Sequence, residues 1–136
     1  MATAGYSGTP LLKKLGIIPT MKLLLIDTPD NYSSLLDADI KRQLVKKGNI
    51  PDFIHLFAVK KLLFEREMKK LSSTIKQNPK IIIWVSWYKK SAKMETDITE
   101  DVIRDYALQN DLVDVKVCAV SDLWSGLKLV VPVAKR

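Results

Sequence analysis

Apolar residues in this chain gather in short runs separated by stretches of helical spacing, and that alternation sets the first expectation. Residues 21–26 are apolar except for Lys22, too short a run for a helix of its own, and the turn cluster "DTPDN" closes them. A buried strand is predicted. "DFIHLFA", residues 52–58, is apolar on both alternating faces, as in a parallel strand covered by helices on either side. "KIIIWVSW", residues 80–87, reads as a third strand. Between these two, Phe64, Met68, Leu71 and Ile75 recur at helical spacing among charges, and Pro79 ends the series. One helix is predicted there, over about residues 59–77. Thr99, followed by Glu100 and Asp101, starts another helix, with Ile98 and Ile103 spaced to staple its first turn. The two carboxylates are accounted for by the macrodipole of that turn. Residues 113–120 and 127–133 read as two more strands, joined through "SDLWSG", whose length and glycine suit a hairpin.

Upstream, Thr9 and Pro10 form a helix start, because the threonine hydroxyl can accept an orphan amide and proline needs no bond at the first helical position. A short helix to Leu15 then ends at Gly16. Tyr32 to Leu36 begins another short helix, while residues 37–50 stay open between helix and irregular crossover. Strands alternating with helices predict an α/β fold: a three-layer, Rossmann-like, mostly parallel sheet with right-handed crossovers, ending in an antiparallel hairpin. A single domain is expected over residues 1–136, in which residues 1–20 are an N-terminal segment and short helix ahead of the sheet-helix core at 21–136.

Composition narrows the class without naming a function. With 47% hydrophobic and 27% charged residues and no low-complexity run, the sequence is that of an ordinary globular protein. Its longest apolar runs fall far below the ~20 residues that span a bilayer, so no membrane partner is expected. The leading "MATAGYSGTPLLKKLG" lacks the basic region and apolar core of a secretory signal, and a cytoplasmic location is expected. The net charge of +7 suits phosphates or an acidic protein partner. The lysines, however, are dispersed as pairs (Lys13/Lys14, Lys46/Lys47, Lys60/Lys61, Lys69/Lys70, Lys89/Lys90) on expected solvated faces, so the excess alone does not specify nucleic acid. A single cysteine, Cys118, excludes an internal disulfide. One histidine and one cysteine cannot supply the usual zinc ligand set, and no metal centre is expected.

The succession "DFIHLFA", helix, "KIIIWVSW", helix, and "LVDVKVCAV" turning back as "GLKLVVP" resembles the later half of class I methyltransferases, whose last strand inserts antiparallel between its two predecessors. More specifically, "AGYSGTPLLKKLGI", "WVSWYKKSAKMETDITEDV" and "LVDVKVCAVSDLWSGLKLV" resemble a family of small bacterial proteins classed as a domain of unknown function, over Ala4 to Val130. That resemblance implies a small bacterial α/β domain and supplies no established catalytic residues. The methyltransferase resemblance implies a glycine-rich turn after the first strand, where the backbone approaches the cofactor. Here the segment reads "LLLIDTPDNY", without glycine and with Pro29 removing an amide donor, and residues 37–50 show no acidic ribose ligand on a second strand. No cofactor is expected on this ground. In the same strand order His55 and Cys118 are kept apart by two strands, so a nucleophile and base pair, which needs about 3 Å, is not expected and both are assigned to the core.

Ligands of open α/β sheets bind at the carboxyl ends of the parallel strands. "DTPDN", "WYKKSAKMETDIT" and "SDLWSG" all lead to that edge, and "AGYSGTP" is placed to fold across it. The candidate ligand-binding residues are therefore Tyr6, Ser7, Thr9, Asp27, Trp87, Lys89, Lys90, Ser91, Trp124 and Ser125, on one shared surface. The favoured reading is a non-catalytic binding module for a small anionic ligand or a protein partner. Two alternatives stand beside it: an S-adenosylmethionine-dependent methyltransferase with an altered cofactor loop, and a nucleic-acid-binding module. The nucleic-acid reading rests on Trp87, Tyr88, Lys89, Lys90 and Lys93, which combine ring faces with cations.

Overall fold

Five strands carry the apolar runs, and the computed structural model describes them within residues 9–46 and 49–136. They are β1 (Leu23–Ile26), β2 (Phe53–Phe57), β3 (Ile82–Tyr88), β4 (Val113–Ala119) and β5 (Trp124–Val130). Their order in the sheet is β1-β2-β3-β5-β4. β1, β2 and β3 pair in parallel, and β5 runs antiparallel to both β3 and β4. The chain is thus a mixed α/β structure whose last strand is inserted between its two predecessors, the arrangement expected from the sequence.

Alternation along each strand sorts side chains to two faces. Ile54, Leu56, Ile83, Val85, Leu127 and Leu129 form the larger core beneath α3 (Lys61–Lys70), α4 (Ser72–Gln77) and α5 (Glu100–Gln109). Phe53, Phe57, Trp84 and Trp124 form the smaller core beneath α1 (Leu11–Leu15) and α2 (Tyr32–Leu36). α1 is anchored by the indole Nε1 of Trp84, which donates to the Leu15 carbonyl at 2.9 Å. Gly16 ends α1 with φ of 80°, the left-handed cap that glycine supplies without a Cβ penalty. The Thr99 hydroxyl accepts from the Val102 amide at the start of α5, and Ile98 and Ile103 are both buried beside it.

Several expected boundaries move. α1 begins at Leu11 with Pro10 in the cap position, one residue later than the expected start at Thr9 and Pro10. The single helix expected over residues 59–77 is two, α3 and α4. At Leu71 the backbone amide is shared between the carbonyls of Glu67 and Met68, a tightened turn, and the following "SST" has poor helix propensity. Residues 37–50, left open from sequence, contain a 3-10 turn at Lys41–Gln43 and one parallel bridge, Leu44 to Leu23. β5 starts at Trp124 rather than 127, because Ser121 builds the turn: its hydroxyl accepts from the Leu123 and Trp124 amides. Trp124 and Ser125 then pair with Tyr88 and Trp87 as strand residues.

Candidate functional site

The carboxyl ends of β1, β2 and β3 and the start of β5 meet at one edge of the sheet. At the end of β1 the backbone turns through Asp27, whose φ of 55° lies in the left-handed region that glycine enters freely. The turn geometry is therefore present while a carboxylate-bearing side chain occupies it. Asp27, Leu56, Phe57, Val59, Leu63 and Trp124 enclose a cavity of about 210 Å³ there. Pockets that hold drug-sized ligands start at roughly 300 Å³.

On the smaller-core side of this edge, rings fill the space. Tyr32 meets His55 edge-on at 5.3 Å, His55 stacks on Phe57 at 4.3 Å, Phe57 meets Trp124 at 5.0 Å, and Trp124 stacks on Tyr88 at 4.2 Å. A polar chain threads the cluster: the Tyr32 hydroxyl lies 2.7 Å from His55 Nδ1, and the Ser86 hydroxyl 2.7 Å from His55 Nε2. Each hydroxyl can donate or accept, so both ring nitrogens are satisfied whichever carries the proton. Burial pushes the His55 pKa down to about 3 and the Tyr32 phenol well above its ordinary range, so both groups are neutral.

The helix start nearest the edge is also filled from within. The Asp97 carboxylate accepts from the Lys61 amide at the first turn of α3, and the Thr96 hydroxyl donates to the Val59 carbonyl. The edge leaves Lys60, Lys90 and Lys93 exposed, with Lys89 half-buried, and the same loops expose the carboxylates of Asp27, Asp30, Glu95, Asp97 and Asp122. Among the described residues none of these four lysines forms an ion pair.

The sequence-derived candidates are divided by this geometry. Tyr6 and Ser7 lie outside the described residues. Asp27 and Trp124 do line one cavity, and the Lys89 amide donates to the Leu123 carbonyl, bringing the β3 loop to the hairpin. Lys90 and Ser91 lie exposed in the 3-10 turn Lys90–Ala92 that follows. Trp87 is buried in the larger core, whereas Trp124 belongs to the smaller core, so the sheet separates the two indoles. Ser125, opposite Trp87 in register, is half-buried on the larger-core face. Thr9 lies away from this edge's ring cluster, in a groove between α1 and β4. His55 is fully buried as expected, while Cys118 is half-buried and borders that same groove. Tyr32 and Ser86 were missed by sequence reasoning, although a serine inside "IIIWVSW" is a polar group that a buried strand must satisfy.

A methyltransferase cofactor does not fit these residues. Asp27 stands in the turn where the methyltransferase resemblance implies glycine, the cavity it lines is small, and Tyr32, Phe57 and Trp124 are buried beside it. Among the described residues no cluster of three or more His, Cys, Asp or Glu is placed to hold a metal ion, and no helix is long and apolar enough to cross a membrane.

No family model matches the chain, and no curated protein matches it in sequence. Solved structures do match in fold. An uncharacterised protein of Listeria monocytogenes serotype 4b superposes with a TM-score of 0.60 at 9% identity, over 92% of this chain and 68% of that one. A SAM-dependent methyltransferase from Aquifex aeolicus gives 0.58 at 15% identity, over 90% of this chain and 88% of that one. The Bacillus subtilis m1A22 tRNA methyltransferase TrmK gives 0.55 at 8% identity, over 97% of this chain and 67% of that one. At such identities the likeness is one of fold, and the fold is the Rossmann-like architecture that methyltransferases share.

Proposed function

We propose that this chain is a non-catalytic binding module built on a methyltransferase-like sheet: a single bacterial, cytoplasmic domain that binds a small anionic ligand at its lysine-bearing carboxyl edge. The observation that carries the reading is the ring cluster from Tyr32 through His55, Phe57 and Trp124 to Tyr88, which occupies the crevice where the fold ordinarily takes its ligand. Evicting those packed rings to admit a nucleoside would expose apolar surface at a cost of roughly 25 cal/mol per Å². The lysines 60, 89, 90 and 93 at the margin form no ion pair among the described residues and are the cations that an anion would meet there.

The methyltransferase alternative draws on the Aquifex aeolicus enzyme, whose chain is covered to 88%, so little structure beyond this fold is needed for that chemistry. Calorimetry with S-adenosylmethionine separates the two. The binding-module reading expects no measurable heat. A Kd of about 100 μM or tighter, about −5.5 kcal/mol, would establish a cofactor site and overturn it. The anion half of the reading is tested with inorganic phosphate: a rise in melting temperature that Lys90→Glu with Lys93→Glu abolishes supports the edge site, and a rise that survives the pair removes it.

A further inference from the structure

We infer that the groove between α1 and β4 is a binding site for a compact phosphate-bearing small molecule carrying two or more negative charges, held by Lys13, Lys14 and Lys116. The open groove has a volume of about 530 Å³, inside the range of small-molecule sites, and among the described residues its lining includes those three lysines and no carboxylate. It lies beside the outer edge of β4, which pairs with β5 alone, and not among the loops at the ends of β1 and β2.

Two of the lysines are positioned by the backbone. The Lys14 ammonium donates to the Ala119 carbonyl at 3.2 Å, and the Lys116 ammonium donates to the Lys14 carbonyl at 3.1 Å. These reciprocal bonds fasten α1 to the end of β4 and fix both cations on the groove wall. Each ammonium carries three donors and spends one on a carbonyl, so donors remain for a ligand and neither charge is neutralised. Among the described residues no ion pair involves Lys13, Lys14, Lys89 or Lys116. Cys118 also lines the groove; burial pushes its thiol up, and the nearby charges of Lys14, Lys116 and Lys89 pull the other way.

Ligand class follows from the donor set. Lysine recognises phosphate as a point charge and does not need the planar fork with which arginine grips carboxylates. A multiply charged phosphate engages several such points at once. Among the described residues no aromatic ring lines the groove, so they supply none of the base-stacking platform of single-stranded nucleic acid. Thr9, Val117 and Ala119 complete the wall with small or apolar groups.

The test titrates the full chain with tripolyphosphate, using sodium chloride of matched ionic strength as the blank. Wild type is expected to bind and to melt at a higher temperature. Because the carboxyl edge is itself proposed to bind anions, the groove is read in the edge pair Lys90→Glu with Lys93→Glu, where binding persists and the further change Lys13→Glu with Lys116→Glu is expected to weaken it by about tenfold or more, equivalent to 1.4 kcal/mol. The milder Lys13→Gln with Lys116→Gln removes the two charges without reversing them and gives a smaller loss of the same kind. Binding lost only in the edge pair would move the site to the carboxyl edge and overturn this inference while upholding the edge reading. No binding in wild type, or binding that all variants retain, overturns it outright. A short single-stranded RNA whose binding the groove pair weakens, with tripolyphosphate binding unmoved, would overturn the ligand class.

Discussion

Tyr32 and His55, 23 residues apart in sequence, share a 2.7 Å hydrogen bond inside the smaller core, and Ser86 closes the other side of the imidazole at the same distance. A buried polar chain of this kind stabilises only while every member is satisfied. Tyr32→Phe leaves His55 Nδ1 without a partner, and Ser86→Ala leaves Nε2 without one. Each is expected to cost about 1–3 kcal/mol in a urea titration. Because both act on one ring, the double variant should depart from additivity by at least about 0.5 kcal/mol. Strict additivity would mean that the two bonds do not share the ring.

The same ring gives the fold an acid sensitivity whose sign is fixed. Folded His55 stays neutral down to about pH 3, whereas the unfolded chain takes up that proton near the ordinary value of 6.5. Between those values the unfolded state binds the extra proton. The stability of the neutral, buried ring is therefore complete above about pH 6.5 and is lost as the pH falls through the window, at about 1.4 kcal/mol per unit for one proton. His55→Gln removes this contribution and leaves the carboxylates as they are. Urea midpoints at about pH 7, 6 and 5 should fall more steeply for wild type than for the variant. Parallel slopes would show that His55 does not govern the acid limb.

Depth in the sheet separates two strand positions that look alike in sequence. Ile83, in β3, is fully buried in the larger core, and Ile83→Ala should cost about 2–5 kcal/mol. Leu25, in the edge strand β1, is half-buried, so Leu25→Ala removes less buried surface and leaves a site open to water. Its loss should be the smaller of the two by about 1 kcal/mol or more in the same titration. Equal losses would contradict the edge position of β1.

What the sequence disclosed and what it hid have physical causes. "DFIHLFA" and "KIIIWVSW" were legible because a strand covered on both faces must be apolar at every position. The hairpin boundary was not, because Gly126 drew the turn toward itself, whereas the Ser121 hydroxyl makes the turn and the glycine sits in β5. That shift carried Trp124 from a loop into a strand. Side chains alternate across a strand, so Trp124 and Trp87, expected on one surface, stand on opposite faces of the sheet. The convergence of Asp27 with Trp124 followed from topology and was foreseeable. The lysine groove was not, because it depends on α1 meeting β4 across separations of 102 and 105 residues, which no local pattern encodes.

Gly126 provides the last test, because its role is space rather than backbone freedom. It lies between Ser86 and Cys118 in register, in the middle of the sheet. A Cβ added there would stand 3.0 Å from a Val120 methyl and 3.2 Å from the Trp84 ring, both buried, and 3.4 Å from the Ser86 hydroxyl. Neither close neighbour is the free end of a flexible side chain. Gly126→Ala should therefore cost about 1–3 kcal/mol by overpacking, although alanine suits a strand no worse than glycine. Val120→Ala removes the nearest clashing methyl. In that background the alanine at 126 should cost about 1 kcal/mol less than it does in wild type, a coupling that a double-mutant cycle reads directly. If the two changes add without coupling, the strain lies against the Trp84 ring alone. If Gly126→Ala is neutral, the close approach of β5 to the Trp84 indole is not what holds this position open.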